Sequence, residues 1–370
     1  MPHDPYKALY LHIPFCVSRC GYCDFATSAV ARDSPAIDEY VDDLVLQVRR
    51  RAREGELAAV ETVYLGGGTP SYVGARRLSS LLYALSLSMR LEPDVECIME
   101  ANPESLDARL VRDIWALGVN RLSLGVQSLD DAVLRTLGRA HDADAARRAI
   151  ATAQERFENV SVDLMCGVPG QGAASFEATV REAVSLGVTH VSVYPLAIEP
   201  HTAFDRAILR GEMPEPDEDE EACAMEAARS VLEAAGFRRY EVASYARPGF
   251  ECRHNIAYWT GVPYLGIGRA AATMTQNAER RMRVTDGQVT DDLDPRQMAA
   301  EDLMLAMRMA DGAGPDLLAR AAALIPETPD VFRELEALGL AERAGERWVP
   351  TDRGWLCGNE LYGRLLDLAP

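Results

Sequence analysis

The stretch "ALYLHIPFCVSRCGYCDF", residues 8–25, runs from a short apolar segment of strand type straight into a loop that holds Cys16, Cys20 and Cys23 within eight positions. Outward from it, apolar runs of similar length recur: "VETVYLG", "VECIMEA", "VNRLSLG", "VSVDLMCG" and "HVSVYPL". Between them lie stretches such as "IDEYVDDLVLQVRRRA", "LDARLVRDIWALG" and "ADAARRAIATAQERF", whose apolar residues fall at helical spacing. Alternating strand and helix implies parallel strands joined by crossovers. Six such units are too few to close an eight-fold barrel, so the pattern predicts an α/β fold, a partial (β/α)6 TIM-like barrel that works at the C-terminal ends of its strands. Cys16, the "GGGTP" run at 66–70, Glu100, Gln127 and Asp163 all fall at or just past successive strand ends. The fold is expected to gather them.

The organisation changes along the 370 residues. The barrel is expected over 1–248, with the acidic "EMPEPDEDEE" read as the solvated N-terminus of a helix favoured by the helix dipole. An aromatic and glycine-rich connecting region follows over 249–296, and a smaller helical, winged-helix-like α+β domain over 297–370, with a hairpin turning at Ala344-Gly345. A formal net charge of −19 repels phosphate backbones and argues against a nucleic-acid binder. No basic-then-apolar leader opens the chain and no apolar run reaches the roughly 18–20 residues of a membrane helix, so a cytoplasmic protein without stable membrane insertion is expected. In a reducing compartment the eight cysteines read as ligands, reactive thiols or small core residues rather than disulfides.

Three thiols on one loop are an unusual set. A structural zinc site takes four ligands, and the fourth would have to come from Cys97, Cys166, Cys223, Cys252 or Cys357, some of which lie inside strand or helix patterns. A cubane iron–sulfur cluster held by three thiolates accounts for the set differently, leaving one iron open to a ligand. Gly66, Gly67 and Gly68, directly after a strand, let the backbone approach a ligand and present its N–H groups, and Pro70 stiffens the turn. Asp163 puts a carboxylate into an apolar strand, at a cost of several kcal/mol unless it is hydrogen-bonded.

On "YLHIPFCVSRCGYCDF" and "YLGGGTP" the chain resembles the radical S-adenosylmethionine (SAM) proteins, and over nearly its whole length it is similar to their coproporphyrinogen oxidase-like group. The resemblance implies a [4Fe–4S] cluster on Cys16, Cys20 and Cys23, with SAM chelating the open iron. It also implies SAM contacts at Tyr10, Tyr22, Gly67, Gly68, Thr69, Glu100, Gln127, Arg139 and Asp163. From the glycine run we expect Gly68→Val to weaken SAM binding while leaving the cluster in place.

Those motifs do not separate an enzyme from a binding protein within the group. The dehydrogenase branch carries a fourth cysteine where this chain has Phe25, and a long segment ahead of the first strand where this chain has about nine residues. "HNIAYW", residues 254–259, resembles the HNxxYW motif of the group's haem-chaperone branch. By itself His254 reads either as a hydrogen-bonded structural residue or as a haem ligand, with Tyr258 and Trp259 as flat apolar surface, and Cys252 is a rival ligand. The chaperone resemblance implies haem as cargo, His254 as its ligand, a haem-accepting protein and an electron donor as partners. The alternative is a tetrapyrrole-directed enzyme. One departure is local: where the group has a "GAH"-like turn, this chain reads "RAAATM", residues 269–274, without the glycine and the imidazole.

Overall fold

The computed structural model describes residues 3–89 and 94–370. Six parallel strands form the heart of the molecule: β1 Ala8–Ile13, β2 Thr62–Gly67, β3 Glu96–Ala101, β4 Arg121–Gln127, β5 Asn159–Cys166 and β6 His190–Pro195. They lie side by side in chain order, as right-handed crossovers require, with Leu9 opposite Val63 and Val162 opposite Val191. Helices such as α1 Pro35–Arg53, α2 Ala75–Ser88, α3 Ala108–Ala116, α4 Asp131–Leu137, α5 Ala143–Gln154 and α6 Ala173–Ser185 return the chain between them. One continuous core of Leu, Val and Ile from both layers fixes the strand ends in place.

The sheet does not close. After α7 Ala203–Leu209 and α8 Glu218–Ala234, the strands β7 Arg238–Arg239 and β8 Ser244–Ala246 cap the β6 edge antiparallel. The acidic run starts α8 as expected: Asp217 accepts from the N–H groups of Asp219 and Glu220, and four acids occupy the first turn, where they complement the dipole. The stretch 249–296 does more than connect. It forms α9 Arg253–Trp259, then β9 Tyr264–Ile267, which pairs parallel with β1, and then β10 Ala272–Gln276, β11 Arg281–Thr285 and β12 Gln288–Leu293. These extend the sheet to twelve strands.

The C-terminal module has its own core, built on Leu303, Met307, Phe332, Leu335, Trp348 and Leu361. It comprises α10 Pro295–Ala306, opened by a capping box between Asp294 and Gln297, α11 Pro315–Leu324 and α12 Thr328–Ala337. The hairpin β13 Ala341–Ala344 and β14 Arg347–Pro350 follows, turning at Gly345 with φ 65°, then α13 Asp352–Leu356 and α14 Gly358–Leu366. Helices followed by a two-stranded wing are the winged-helix-like arrangement. The module is fastened to the barrel by an antiparallel bridge between Glu241 and Met309 and by the ion pair Arg229–Asp352 at 2.8 Å.

Candidate functional site

β1 ends at Ile13, and the chain then pairs Phe15–Cys16 with Ser28–Ala29 in a short parallel bridge, so the cysteine loop is closed at its base. Ala26 at its far end presents a carbonyl to two donors, His12 Nε2 at 3.2 Å and the Arg269 guanidinium at 3.2 Å. His12 is therefore a support of the loop. Arg269 opens the departing "RAAATM" stretch, and its guanidinium also reaches Ser28 Oγ at 3.1 Å, so this turn braces the cysteine loop from behind.

The glycine turn after β2 is locked onto the same loop. Gly68 N–H donates to the Ile13 carbonyl at 2.9 Å and Thr69 N–H to the Phe15 carbonyl at 2.9 Å. A Cβ on Gly67, which sits at φ 117°, would stand 2.7 Å from the His12 ring. A Cβ on Gly68 would stand 2.8 Å from the Pro14 backbone. Close approach, then, is to the cysteine loop itself.

A closed chain of hydrogen bonds joins two of the thiols. Thr69 Oγ1 donates to Cys16 Sγ at 3.4 Å and accepts from Asn102 Nδ2 at 2.9 Å. Asn102 Oδ1 accepts from Arg139 at 2.8 Å, and Arg139 reaches Cys20 Sγ and the Tyr22 hydroxyl, each at 3.5 Å. Arg139 also donates to the Gly125 carbonyl at 2.8 Å, while its buried Nε has no partner. Thr69 and Arg139 were legible as site residues; Asn102 was not, although the "NP" that stops β3 marks it.

Cys16, Cys20, Cys23, Tyr22, Gly67, Gly68, Thr69, Glu100, Gln127, Arg139 and Asp163 all line one cavity of ≈ 390 Å³ at the strand ends, a size suited to one small cofactor. Its depths are polar. Arg121, Ser123, Ser161, His190 and Ser192 line it too, every second residue of β4, β5 and β6, where a filled barrel would carry branched apolar layers. Asp163 accepts from Ser123 Oγ at 3.2 Å, and burial pushes its carboxyl up to about 6. Glu100 accepts from Tyr64 at 2.8 Å and from Gly67 N–H at 3.0 Å, and burial pushes it up to about 7. Gln127 holds φ 63°, a left-handed conformation unusual for a residue with a side chain, at the cavity wall. Burial also raises the Cys16 thiol to about 11, so a cation is needed to hold it as thiolate.

Among the described residues no three His, Cys, Asp or Glu side chains converge on a single ion. A cubane differs in this respect, since each thiolate takes a different iron. Three thiols on one braced loop, an unpartnered arginine nitrogen and a polar cavity fit a cluster with an organic ligand beside it.

Tyr10 and His254 lie elsewhere. Tyr10 is in mid-strand, below the mouth, with its hydroxyl 3.1 Å from His12 Nδ1. Both residues line a second, larger cleft of ≈ 1590 Å³ between the barrel, α9 and the C-terminal module. Cys252 caps α9, its sulfur accepting from Asn255 N–H at 3.4 Å. That cap turns His254 inward, where its Nδ1 lies 2.9 Å from Thr62 Oγ1 and its ring sits 5.0 Å from Tyr64 and 5.1 Å from Tyr258. Tyr64, Tyr194 and Asn255 border both spaces, so the cavity and the cleft share a wall.

A partial barrel whose first strand delivers three cysteines to a mouth shared with a glycine turn defines the class, a radical SAM protein, and residues 10–183 match the Radical SAM superfamily. The chain is 38% identical to the heme chaperone HemW of Mycobacterium tuberculosis, over 99% of this chain and 96% of that protein. It is 32% identical to HemW of Bacillus subtilis, over 97% of this chain and 99% of that one. It belongs to the HemW heme chaperone family. The solved structure of coproporphyrinogen III oxidase (HemN) from Escherichia coli has the same fold, with a TM-score of 0.80 at 22% identity, covering 100% of this chain and 90% of that one. No helix among the described residues is long and apolar enough to cross a membrane.

Proposed function

We propose that this protein is a haem chaperone: it holds a [4Fe–4S] cluster and SAM at the barrel mouth, holds haem in the neighbouring cleft, and passes the haem to an acceptor protein. Cys16, Cys20 and Cys23 would carry the cluster. The Gly67–Gly68 backbone, Thr69, Tyr22, Glu100, Gln127, Arg139 and Asp163 would surround SAM, with the two carboxyls facing a cationic ligand. When bound, the cluster, reduced by a donor protein, supplies an electron to the SAM sulfonium.

The observation that carries the haem reading is His254. Its ring is 2% exposed, its Nε2 has no partner, and it lines the cleft. Burial lowers its pKa to about 3, so it is a neutral imidazole throughout the physiological range, the form that ligates iron. In the tautomer whose Nδ1–H donates to Thr62 Oγ1, 2.9 Å away, the lone pair is left on Nε2. Cys252 is the poorer candidate: it caps a helix, burial pushes its thiol up to about 12, and it borders the cluster cavity rather than the cleft.

The test is anaerobic haem titration of the reconstituted protein and of His254→Ala, Tyr258→Phe and Cys252→Ser. His254→Ala is expected to shift the haem absorption spectrum and to weaken binding more than Tyr258→Phe, whose lost hydroxyl costs about 0.5–1.5 kcal/mol, a factor of about 2 to 13. A spectrum that changes only in Cys252→Ser would move the ligand to the cysteine. A parallel assay with coproporphyrinogen III and SAM should show no conversion, because Phe25, 63% exposed at the cavity mouth, stands where the dehydrogenases have a thiol. Conversion at enzyme-like rates would overturn the chaperone reading.

A further inference from the structure

Six buried side-chain polar atoms lack a hydrogen-bond partner among the described residues, and four of them belong to residues that line the cleft: Glu241 Oε1, His254 Nε2, Arg308 Nε and Tyr362 Oη. Buried polar atoms are nearly always paired, so a cluster of exceptions on one wall points to a partner that arrives with a ligand. His254 is accounted for by iron. The other three stand together at the C-terminal-module end of the cleft and need a different explanation.

Arg308 follows α10 and is rigidly mounted. Its N–H donates to the Leu305 carbonyl at 3.0 Å, Met309 bridges Glu241, and Ala310 N–H donates to the Tyr240 carbonyl at 3.0 Å. Its guanidinium lies over two rings, Trp259 at 5.0 Å and Tyr362 at 4.5 Å. Trp259 is itself held, its indole N–H donating to Glu241 Oε2 at 3.2 Å. Stacking satisfies the faces of the guanidinium and leaves its edge free. No carboxylate pairs with it among the described residues, and it is the single basic side chain lining the cleft. The remaining charged lining is acidic, with Glu218, Asp219, Glu221 and Glu360 among it. Burial raises the Glu241 carboxyl's pKa, and its Oε2 accepts from Trp259 and from the Ala243 N–H at 3.1 Å rather than from Arg308. The Tyr362 hydroxyl, on a side chain 7% exposed, stands ready as a second donor.

We propose that Arg308, with Tyr362 beside it, is the carboxylate anchor of the cleft: it receives a propionate of the porphyrin whose iron His254 holds, and so sets which edge of the ring faces the C-terminal module. The proposal rests on the haem reading above and adds an orientation to it. An acidic wall repels propionates everywhere else, so one way round is favoured.

Three ligands separate the contributions: haem, which offers iron and carboxylates; iron-free protoporphyrin IX, which offers carboxylates only; and haem dimethyl ester, which offers iron with the carboxylates masked. Wild-type reconstituted protein should bind haem about tenfold or more tighter than its dimethyl ester, the scale of a charge-assisted hydrogen bond. Equal affinity overturns the proposal without any variant being made. Arg308→Met should lose about tenfold on haem and on protoporphyrin IX, change the ester by less than about twofold, and keep the wild-type haem spectrum. Arg308→Lys should retain the preference for the free acid, and Tyr362→Phe should lose about threefold with the same selectivity. A uniform loss on all three ligands would mean that Arg308 only supports packing, which overturns the anchor and leaves haem binding standing. If His254→Ala leaves the haem spectrum unchanged while Arg308→Met still loses affinity for haem and not for its ester, the ligation reading falls and the anchor stands. If neither variant changes haem binding, haem sits elsewhere and both fall.

Discussion

The cluster cavity and the interdomain cleft share a wall but are finished to different degrees. In the cavity the polar side chains answer one another: Cys16, Thr69, Asn102, Arg139 and Cys20 form one hydrogen-bonded chain, and Asp163 and Glu100 each have donors. Two buried nitrogens of cavity-lining residues, Arg121 Nη2 and Arg139 Nε, are left open there, against four buried polar atoms on residues that line the cleft. The first is a preorganised mount, in which geometry is set before any cofactor arrives. The second is a surface whose hydrogen bonding its ligand completes, which suits cargo that must leave again.

Mutations that strike the mount should therefore have the larger effects. Replacing Cys16, Cys20 and Cys23 together by alanine should abolish cluster assembly, read as iron and sulfide after anaerobic reconstitution. Full iron content in that variant would remove the cluster assignment. Gly68→Val comes next, and here the structure revises the expectation drawn from the glycine run. A Cβ there meets the Pro14 and Phe15 backbone at 2.8–2.9 Å, immediately before Cys16. Backbone must move, and overpacking of this kind costs about 1–3 kcal/mol, about 5- to 150-fold in an equilibrium. Cluster content and SAM affinity should fall together. Normal iron with weakened SAM binding would show that the two are separable after all.

How much of this could be read from the chain follows the same division. The mount was legible because its parts are local: three cysteines on one loop, a glycine turn on the next crossover, and polar residues where apolar strands stop. Its polar floor was legible in principle, since Arg121, Ser123, Gly125 and Gln127 alternate with apolar residues at strand period. Tyr10 was placed with the SAM contacts by resemblance, yet it stands in mid-strand and faces the cleft. The cleft was legible only at His254, Tyr258 and Trp259. Glu241, Arg308 and Tyr362 come from three distant segments, brought together by tertiary contacts with no sequence signal, such as the Glu241–Met309 bridge and the stacking of Arg308 on Tyr362.

The carboxyls of the mount make a prediction of intermediate size. Glu100 titrates near 7 in the folded protein and at its ordinary value of 4.5 when unfolded. Between those values the folded state binds more protons, so stability should fall as pH rises from about 4.5 to 7 and level off beyond. At 1.36 kcal/mol per pH unit the span is about 3 kcal/mol, with Asp163 adding a similar slope over a window about one pH unit lower. Glu100→Gln should flatten the upper part of that slope in urea titrations of protein without cluster or SAM. An unchanged slope would place the proton elsewhere.

The smallest expected effect lies behind the mount, at Ala270. Where the resemblance implies a glycine in this turn the chain has alanines, yet Ala270 keeps the backbone conformation that glycine favours, φ 59°. The turn is held there by Ala270 N–H donating to Asp286 at 2.9 Å, and by Arg269, whose N–H donates to the Tyr40 hydroxyl at 3.0 Å and whose guanidinium reaches the Ala26 carbonyl and Ser28. A left-handed alanine costs about 1–2 kcal/mol, while glycine loses about 0.5–1 kcal/mol more backbone entropy on folding. Ala270→Gly should thus stabilise by about 0.5–1 kcal/mol, seen as a higher midpoint in urea. Ala271→Gly, next door, buried and with no positive φ, should destabilise by a similar amount and serves as the control. If the strain is simply tolerated for the sake of Arg269's contacts, Ala270→Gly will also leave the reconstituted iron content unchanged. A loss of iron alongside the gain in stability would show instead that the rigid alanine turn helps to hold the cysteine loop in register.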